Sequence, residues 1–461
     1  MPKLSLVELE PQPIEQWRGV LPEDRFERFG RTMTQTAEQL KDRTVWNINS
    51  TAEGGGVAEM LGTLLPYAVF TGWDVKWAVM FGDADFFEVT KGIHNALHGT
   101  PPTEDIWDRA LEIYKRVTEA NAAELTPMIR TGDVVLIHDP QAAGLIGPLK
   151  EAGAAVSWQC HVGMDEPNDW TRQAWDFLRP FVDAADRYVF TRPAYLWDGL
   201  DEDRLRVIPP SIDALSPKNA PLEDERVLEI LCAAGVMDGP SGGTPIRRVT
   251  RVGGEVCLPA EARVVLQVSR WDRLKDPIGF LRMYAEHLSD REDVHLVYAG
   301  PSTSGVSDDP EGVAVLEACA EVWRSFDPDV QERVHLLEVP MEDVDENATI
   351  VSALQCRADV VVQKSIEEGF GLTVSEAMWK SRPVVASRVG GIQDQIEHDR
   401  SGLLVDDPYD IGGFAAAVGS LLDDPDRAAR LGSAAHDRVC DHFLGPRQLE
   451  QYADLLIELA A

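Results

Sequence analysis

The stretch ADVVVQKSIEEGFGLTVSEAMW, residues 358–379, decides the fold because it joins three kinds of local structure. It opens with a continuous apolar run of the length of a buried strand, and its later apolar residues, such as Val374 and Met378, recur at helical spacing. Gly369 and Gly371 stand between these segments, where a glycine permits a tight turn and lets a ligand approach the backbone closely. The stretch therefore predicts a strand, a tight turn and a helix.

This order of elements has a chemical consequence. The first turn of a helix presents unpaired backbone N–H groups and the positive end of the helix dipole, so an anion fits in front of it. Glu368 would end the strand segment, and Glu376 would lie in the first turn of the helix. A second interpretation is a capping box, in which Thr373 caps the helix and Glu376 bonds back. The capping box accounts for Glu376 but not for Glu368 or the glycines.

Composition sets the broad class of the protein. The chain has 461 residues, of which 44% are hydrophobic and 26% charged, as in a globular protein of two or three domains. Its net charge of -35 repels the phosphate backbone of a nucleic acid. The first residues lack the apolar core of a secretory signal, and no apolar run reaches the length of a membrane span. We therefore expect a cytoplasmic protein that binds neither nucleic acid nor membrane.

The cysteines support the same expectation. The six thiols lie far apart in the sequence, with no CxxC pair and no histidine cluster at the spacing of a metal site. The simplest interpretation is a set of reduced, mostly buried thiols in a cytoplasm.

Alternation of strand and helix extends through both halves of the chain, which predicts an α/β fold of two parallel sheets. The proline-rich run 206–219 ends the first half and is predicted to be a linker. We predict a Rossmann-like N-terminal domain at 1–215 and a Rossmann-like C-terminal domain at 216–440. A C-terminal helix at 441–461 is expected to pack back on the first domain. The segment 221–261 fits neither pattern and is predicted to be an insertion at the domain junction.

Two such domains would face each other across a deep cleft, where ligands bind outside the carboxyl ends of the strands. The first strand is followed by the glycine loop 53–56, which could cradle a phosphate or be only a flexible turn. The loop is not GxGxxG, which argues against a dinucleotide dehydrogenase. His138 and Asp139 end one strand and His161 ends the next, although a lone strand-end histidine is more often packed or solvated.

Two cations follow a strand of the second half. Arg270 ends this strand and Lys275 comes shortly after it, so that a forked guanidinium and an ammonium could bind an anion together. Surface pairing with Asp272 or Asp276 is the alternative. With the glycine loop and the helix start at 371–373, these cations would suit a diphosphate leaving group, because they stabilise the negative charge that develops on it.

The sequence shows no convincing acidic metal site. Asp83 with Asp85, and Asp308 with Asp309, are interpreted as solvated acids in turns. Since two cations already face the diphosphate, we predict that the chemistry requires no metal ion and that no cofactor is permanently bound.

Five blocks of sequence together carry a specific resemblance. They are WNINSTAEGGGVAEML (46–61), KGIHNALHG (91–99), HDPQ (138–141), WQCHVG (158–163) and VVQKSIEEGFGLTVSEAMWKSRPVVASRVGGIQDQI (361–396). The blocks resemble the trehalose glycosyltransferring synthases, which are retaining GT-B glycosyltransferases of family GT4. These enzymes make trehalose from a nucleoside-diphosphate glucose and glucose, so the resemblance implies a GT-B fold and this activity.

The resemblance also implies that 1–215 is the acceptor domain and 216–440 the nucleotide-sugar donor domain, and it implies roles for single residues. Arg270 and Lys275 would hold the donor diphosphate, Glu368 would contact the transferred glucose, and Glu376 would bind the ribose hydroxyls. His161 would complete the catalytic set on the acceptor side. The implied donor-binding residues are Gly55, Gly56, Gly369, Phe370, Gly371, Leu372, Thr373 and Glu376. The implied acceptor-binding residues are Asp139, His94 and Asn95.

The same resemblance implies ADP-glucose or UDP-glucose as the donor, glucose and trehalose as the other substrates, and a homodimer. It implies front-face attack, in which the acceptor hydroxyl gives its proton to a phosphate oxygen, inside a closed site that excludes water. Two other functions stay open. One is a retaining trehalose phosphorylase, whose phosphate would occupy the pocket of Arg270 and Lys275. The other is a catalytically silent protein that binds sugar nucleotides.

Overall fold

The computed structural model describes residues 4–53, 55–102, 106–254, 256–303 and 310–461. The chain divides into unit 1, Met1–Ser211 with Leu444–Ala461, and unit 2, Ile212–Phe443. In each unit a mixed, mainly parallel sheet is packed against helices, so the predicted α/β class with two parallel-sheet domains is confirmed.

The first unit contains a seven-stranded sheet in the order β1-β3-β2-β4-β5-β6-β7. Only the edge pair β1 and β3 is antiparallel among the pairs described. The strands are β1 (Ser5–Val7), β2 (Val45–Asn49), β3 (Val75–Val79), β4 (Val134–His138), β5 (Ala155–Cys160), β6 (Arg187–Phe190) and β7 (Leu205–Val207). The helices are α1 (Glu23–Gln39), α2 (Gly56–Phe70), α3 (Ala84–Leu97), α4 (Trp107–Leu125), α5 (Asp139–Ala142), α6 (Ile146–Glu151) and α7 (Asp169–Val182). Short 3-10 turns lie at Ile14–Gly19, Thr126–Met128, Ala143–Leu145, Pro193–Tyr195 and Glu202–Arg204.

The inner strands β2 and β4 are buried along their whole length. This burial explains their apolar character, because a parallel sheet is covered on both faces. The exceptions are polar residues such as Asn47 and His138, which are buried in these same strands. A buried polar side chain requires a hydrogen-bond partner, so these residues have a role beyond packing of the strands.

The second unit contains another seven-stranded sheet, in the order β14-β13-β12-β9-β10-β11-β8. Its strands are β8 (Thr250–Val252), β9 (Arg263–Val268), β10 (Val294–Pro301), β11 (Val334–Val339), β12 (Val360–Gln363), β13 (Val384–Ser387) and β14 (Leu403–Val405). Its helices are α8 (Asp224–Ala233), α9 (Pro277–His287), α10 (Pro310–Arg324), α11 (Pro328–Gln331), α12 (Val344–Arg357), α13 (Leu372–Trp379), α14 (Ile392–Gln395), α15 (Ile411–Asp423) and α16 (Pro425–His442). A 3-10 turn at Arg273–Lys275 precedes α9.

The segment 221–261 is part of this second unit. It supplies α8, which packs against α12, and β8, which pairs antiparallel with β11 so that Val252 lies opposite Leu336. The prediction of an insertion at the domain junction was therefore wrong for these elements. A three-residue edge strand carries too little of the alternating pattern to be recognised in the sequence. The predicted linker 206–219 likewise begins inside the short strand β7.

The last helix, α17 (Gly445–Ala460), belongs to unit 1 and packs against α1 and α2 and the strands β4 and β5. The guanidinium of Arg447 donates from Nη1 to the carbonyl of Pro209 and from Nη2 to the carbonyl of Pro210, both at 2.8 Å. Glu458 accepts from Nε of Arg187 and of Arg206, each at 2.8 Å, and so links α17 to β6 and β7. The unit is thus completed by a segment distant in sequence.

Two further observations concern the described residues. Within them, no helix is both long enough and apolar enough to span a membrane. All six cysteines are free thiols, two of them buried and four partly exposed, whereas we expected most of them to be buried.

Candidate active site

In unit 2 the loops that follow the neighbouring strands β9 and β12 bring Lys275 and Glu368 together. Since β12 ends at Gln363, the prediction that Glu368 ends the strand was wrong. The ammonium of Lys275 donates to Oε2 of Glu368 at 2.5 Å, and the side chains are only 15% and 12% exposed. The hydroxyl of Ser365 donates to the same carboxylate oxygen at 3.1 Å. Asp272 caps the turn that carries Lys275, since its Oδ1 accepts from the backbone N–H of Leu274 at 2.8 Å. A mostly buried ion pair is therefore held in a fixed geometry at the strand ends.

The buried cation Lys364 explains why Lys275 pairs with Glu368 and not with Asp276. The ammonium of Lys364 lies against Oδ2 of Asp276 and donates to the carbonyl of Pro408 at 2.6 Å. Asp276 also caps α9 through the N–H of Gly279 at 3.0 Å. Because Asp276 is engaged in this way, the sequence alternative in which it neutralises Lys275 does not occur. Lys364 was not among the residues singled out from the sequence.

Arg270 lies near the same strand end but differs in exposure. Its side chain is 69% exposed, and Nη2 donates to Oδ2 of Asp272 at 2.9 Å. This is the surface pairing that the sequence left open as an alternative. The backbone is fixed nonetheless, because the hydroxyl of Tyr298 donates to the carbonyl of Arg270 at 2.8 Å. An exposed, weakly held ion pair of this kind is easily exchanged for another anion.

The glycine turn leads directly into α13, as the sequence predicted, but the capping box is absent from these described residues. Gly371 is the N-cap, with φ +84°, a region that only glycine enters at little cost. The hydroxyl of Thr373 donates to Oε1 of Gln363 at 3.0 Å and does not cap the helix. Since α13 begins at Leu372, Glu376 lies in its second turn. Both the capping box and the placement of Glu376 in the first turn were therefore wrong.

Gln395, which we did not predict to be important, fixes the glycine turn through hydrogen bonds. Its amide nitrogen donates to the carbonyl of Phe370 at 2.5 Å, and its amide oxygen accepts from the hydroxyl of Ser375 at 2.5 Å. The N–H of Gly391 donates to the carbonyl of Gly369 at 3.2 Å. An added Cβ at Gly391 would lie 2.7 Å from Cα of Phe370, so the two backbones pack directly on each other. The turn is thus a rigid part of the unit.

Glu376 is buried among cations. Its side chain is 4% exposed, and Oε1 lies 3.4 Å from the ammonium of Lys218. Lys380, one helical turn further on, donates to the carbonyl of Glu376 at 3.3 Å and to Oδ1 of Asn219 at 3.2 Å. Burial lowers the pKa of Lys380 to about 8, although the charge of Glu376 opposes this. The nearly buried Glu376 therefore has two lysines as neighbours.

In unit 1 the ends of β4 and β5 bring His138 and His161 together. Their rings are nearly parallel, at an angle of 8°, and Nδ1 of His138 lies 3.2 Å from Nε2 of His161. Nε2 of His138 lies 3.1 Å from Oδ1 of Asn47 on β2. Oδ1 of Asp139 accepts from the backbone N–H of His161 at 3.1 Å. The two strand-end histidines are therefore members of one hydrogen-bonded chain.

Burial is the main influence on the protonation of both rings. Burial lowers the pKa of His138 well below its ordinary value, with the neighbouring His161 adding to the effect. Burial also lowers the pKa of His161, while Asp139 opposes the shift. Both rings are consequently neutral at neutral pH, and a neutral imidazole donates from one nitrogen and accepts at the other. Because Oδ1 of Asn47 can only accept, it favours the tautomer of His138 that carries its proton on Nε2. Nδ1 of His138 then accepts from Nε2 of His161.

The other predicted acceptor residues lie on α3, which packs against α5 and therefore near Asp139. His94 is partly exposed, and its ring meets that of His98 edge to face at 4.8 Å. Asn95 is partly exposed, and its carbonyl accepts from the N–H of Thr100 at 2.9 Å. The structure thus places these two residues on a helix that contacts α5, which begins at Asp139.

The glycine loop is only partly described. Gly55 is the N-cap of α2 with φ +106°, and no described atom lies within 4 Å of an added Cβ at Gly55 or Gly56. Gly54 lies outside the described residues. The loop therefore offers open space beside its backbone, which suits a bulky ligand.

The acidic pairs have the following positions. Asp83 caps α3 through the N–H of Phe86 at 3.0 Å and pairs with Arg116 at 2.7 Å, and Asp85 is exposed. Asp308 and Asp309 lie outside the described residues. In the described ranges, no three His, Cys, Asp or Glu side chains are grouped closely enough to hold a metal ion.

Two family models match the chain. The model described as "Trehalose synthase, N-terminal domain" matches residues 47–197, and the model described as "Glycosyl transferases group 1" matches residues 256–438. The first matched range contains the histidine pair and the glycine loop. The second contains Lys275, Glu368 and Glu376.

Known proteins are similar over nearly the whole length. The trehalose synthase of Rubrobacter xylanophilus is 39% identical over 449 residues, which cover 97% of this chain and 97% of that protein. The trehalose synthase of Pyrococcus horikoshii is 34% identical over 446 residues, covering 97% of this chain and 96% of that protein. The solved α,α-trehalose-phosphate synthase (UDP-forming) of Burkholderia xenovorans superimposes with a TM-score of 0.66 at 17% identity, covering 90% of this chain and 99% of that one. The fold is therefore GT-B.

Proposed function

Since the chain belongs to the trehalose synthase family and is a hexosyltransferase, we propose that it makes trehalose from a nucleoside-diphosphate glucose and glucose, with retention at the anomeric carbon. The donor would be ADP-glucose or UDP-glucose. The observation that carries the proposal is the ion pair of Lys275 and Glu368, held at 2.5 Å beside the glycine turn and the start of α13.

This arrangement suits the departure of a diphosphate. The ammonium of Lys275 is kept in place by Glu368 and by the capped turn, so little reorganisation is needed when charge develops on a phosphate oxygen. Arg270 is exposed and only loosely paired, and it can turn its fork towards the same diphosphate. The dipole of α13 adds to the stabilisation of the anion.

Glu368 would face the transferred glucose. An ionised carboxylate accepts hydrogen bonds only, so it binds sugar hydroxyl groups well. The neighbouring backbone of Gly369 and Phe370 is fixed by Gln395 and Gly391, which gives the sugar a rigid support. The acceptor glucose would contact the unit 1 residues Asp139, His161, His94 and Asn95.

We propose front-face attack for the transfer step. The bond between the anomeric carbon and the phosphate oxygen breaks, and the acceptor hydroxyl forms the new bond from the same face. The hydroxyl proton passes to the departing phosphate oxygen, so that trehalose and a nucleoside diphosphate are the products. Because Glu368 is already engaged with Lys275 and Ser365, it is not given the role of a nucleophile.

A donor screen tests the proposal. The purified protein is incubated with glucose and each nucleoside-diphosphate glucose in turn, or with trehalose and phosphate, and trehalose, nucleotide and glucose 1-phosphate are measured. We expect trehalose and free nucleotide, and we expect Lys275→Met to abolish both. Arg273→Met is the matched control, because Arg273 is an exposed cation of the same turn. Activity that survives treatment with EDTA would support the further proposal that no divalent ion is needed.

Two outcomes would overturn the proposal. Formation of glucose 1-phosphate from trehalose and phosphate, with no use of a nucleotide sugar, would establish a phosphorylase. Binding of a nucleotide sugar without any product would establish a silent binding protein.

A further inference from the structure

The carboxylate of Glu376 has a partner that comes from outside its own helix. Lys218 lies in the segment that enters unit 2, and its ammonium is 3.4 Å from Oε1 of Glu376. The side chain of Lys218 is 27% exposed and that of Glu376 is 4% exposed. A carboxylate buried to this extent is stable in its charged form only with a countercharge or several hydrogen bonds. Lys218 supplies the countercharge.

The segment that carries Lys218 is built to hold it against α13. The amide of Asn219 donates to the carbonyl of Asp213 at 2.9 Å, which closes a turn around Ser216. The indole N–H of Trp379 donates to the carbonyl of Asn219 at 2.9 Å. Asn219 itself is 4% exposed. The backbone on which Lys218 stands is therefore docked on the helix of Glu376 by bonds that do not involve the lysine ammonium.

One oxygen of the Glu376 carboxylate carries the ion pair. The ammonium approaches Oε1, so Oε2 can accept from a hydroxyl group of a bound molecule. Lys380 contributes positive charge from the other direction, but it donates to the carbonyl of Glu376 and not to the carboxylate. Among the described lysines, Lys218 alone forms an ion pair with this carboxylate.

We propose that Lys218 is a positioning residue for the donor nucleoside: it orients the carboxylate of Glu376 so that the site selects ribose over a sugar without the 2′- and 3′-hydroxyl groups. This inference rests on the proposed function, in which Glu376 binds the ribose. It assigns Lys218 no contact with the glucose or with the reacting bond. Its loss should therefore affect donor binding and leave the chemical step and acceptor binding unchanged.

The test compares two donors in the native protein and in Lys218→Met. These donors are the preferred nucleoside-diphosphate glucose and its 2′,3′-dideoxyribose counterpart. We expect Lys218→Met to raise the KM of the ribose donor about ten-fold or more, as for loss of a charge-assisted hydrogen bond. The KM of the dideoxy donor should change less than about two-fold, since that donor makes no contact with Glu376. The value of kcat and the KM of glucose should stay as in the native protein.

Two other variants serve as controls. Lys218→Arg keeps a cation at the site and should retain most of the preference for ribose. Lys150→Met removes a lysine of similar exposure from a pair with a more exposed carboxylate, between α6 and Asp186 in unit 1, and should leave both donor KM values unchanged. If Lys218→Met does not fold, as judged from its circular dichroism, the smaller change Lys218→Gln takes its place.

The outcomes separate the two hypotheses. A native protein that turns over no nucleoside-diphosphate glucose would refute the proposed function before any variant is compared. A native protein that is active, combined with a Lys218→Met variant that weakens both donors equally, leaves both unchanged or raises the KM of glucose, would overturn the role of Lys218 alone.

Discussion

Replacing Gln395 by leucine should destabilise unit 2 strongly, although leucine is the more hydrophobic residue. Gln395 is fully buried and makes two short bonds, from its amide nitrogen to the carbonyl of Phe370 and from the hydroxyl of Ser375 to its amide oxygen, both 2.5 Å. Each bond contributes about 1 kcal/mol net, and a buried group left without its partner costs about 1–3 kcal/mol more. We expect Gln395→Leu to lower the free energy of unfolding by about 3–5 kcal/mol.

Gln355 provides a matched control in the same unit. It is also fully buried, yet neither polar atom of its amide has a hydrogen-bond partner among the described residues. Leucine at this position removes an unpaired buried amide, so we expect Gln355→Leu to raise the free energy of unfolding by about 1–3 kcal/mol. The two variants make the same chemical change, and only the bonding of the original glutamine differs.

Urea unfolding followed by tryptophan fluorescence measures both free energies, and steady-state kinetics adds a functional readout. Because Gln395 supports the glycine turn, its loss should raise the KM of the nucleoside-diphosphate glucose about ten-fold, while Gln355→Leu should leave that KM unchanged. If both variants shift the unfolding midpoint equally and in the same direction, the reasoning is refuted. The effect on stability would then depend on the burial of the glutamine and not on its hydrogen bonds.

Three further predictions concern other parts of the chain. Gly391→Ala should raise the KM of the donor and lower the melting temperature, because the new Cβ would lie 2.7 Å from Cα of Phe370; unchanged kinetics would show that the turn can move aside. Burial lowers the pKa of His335 from 6.5 to about 3, so the unfolded chain takes up the proton first, and the stability of unit 2 should fall as the pH drops from about 6.5 towards 3. We expect His335→Gln to weaken this dependence of the free energy of unfolding on pH, as measured by urea unfolding between pH 7 and pH 4.5. An unaltered pH dependence would show that His335 does not cause it. Arg447→Met should destabilise unit 1 by about 2–4 kcal/mol, since the carbonyls of Pro209 and Pro210 lose a partly buried donor, and a change below about 1 kcal/mol in urea unfolding would count against this.

Much of the fold could be predicted because the strands of a covered parallel sheet are apolar along their length. The run ADVVVQ became β12, and the alternation of such runs with helical segments gave both sheets. The three-residue strands β1 and β8 were missed, since three residues carry no reliable periodicity. Both are antiparallel edge strands, whose pairing depends on a partner far away in the sequence.

The candidate site could be predicted in its residue types but not in its pairings. The strand-end rule placed Lys275 and Glu368 at one edge of the sheet, but it did not predict that Asp276 pairs with Lys364 while Glu368 pairs with Lys275. The capping box failed because Gly371 adopts a positive φ and ends the turn two residues before Thr373. A sequence motif states which bonds can form, whereas tertiary contacts decide which of them do.

The return of α17 to unit 1 has a consequence for the order in which the protein is made. During synthesis the first 211 residues leave the ribosome without the helix that covers β4 and β5, and all of unit 2, Ile212–Phe443, is translated before Gly445. Domains often fold in order from the N terminus as they emerge. Here unit 1 is the first to be translated but can complete its fold only after α17 has been made. The apolar face that α17 covers therefore stays exposed in the nascent chain while unit 2 is already able to fold.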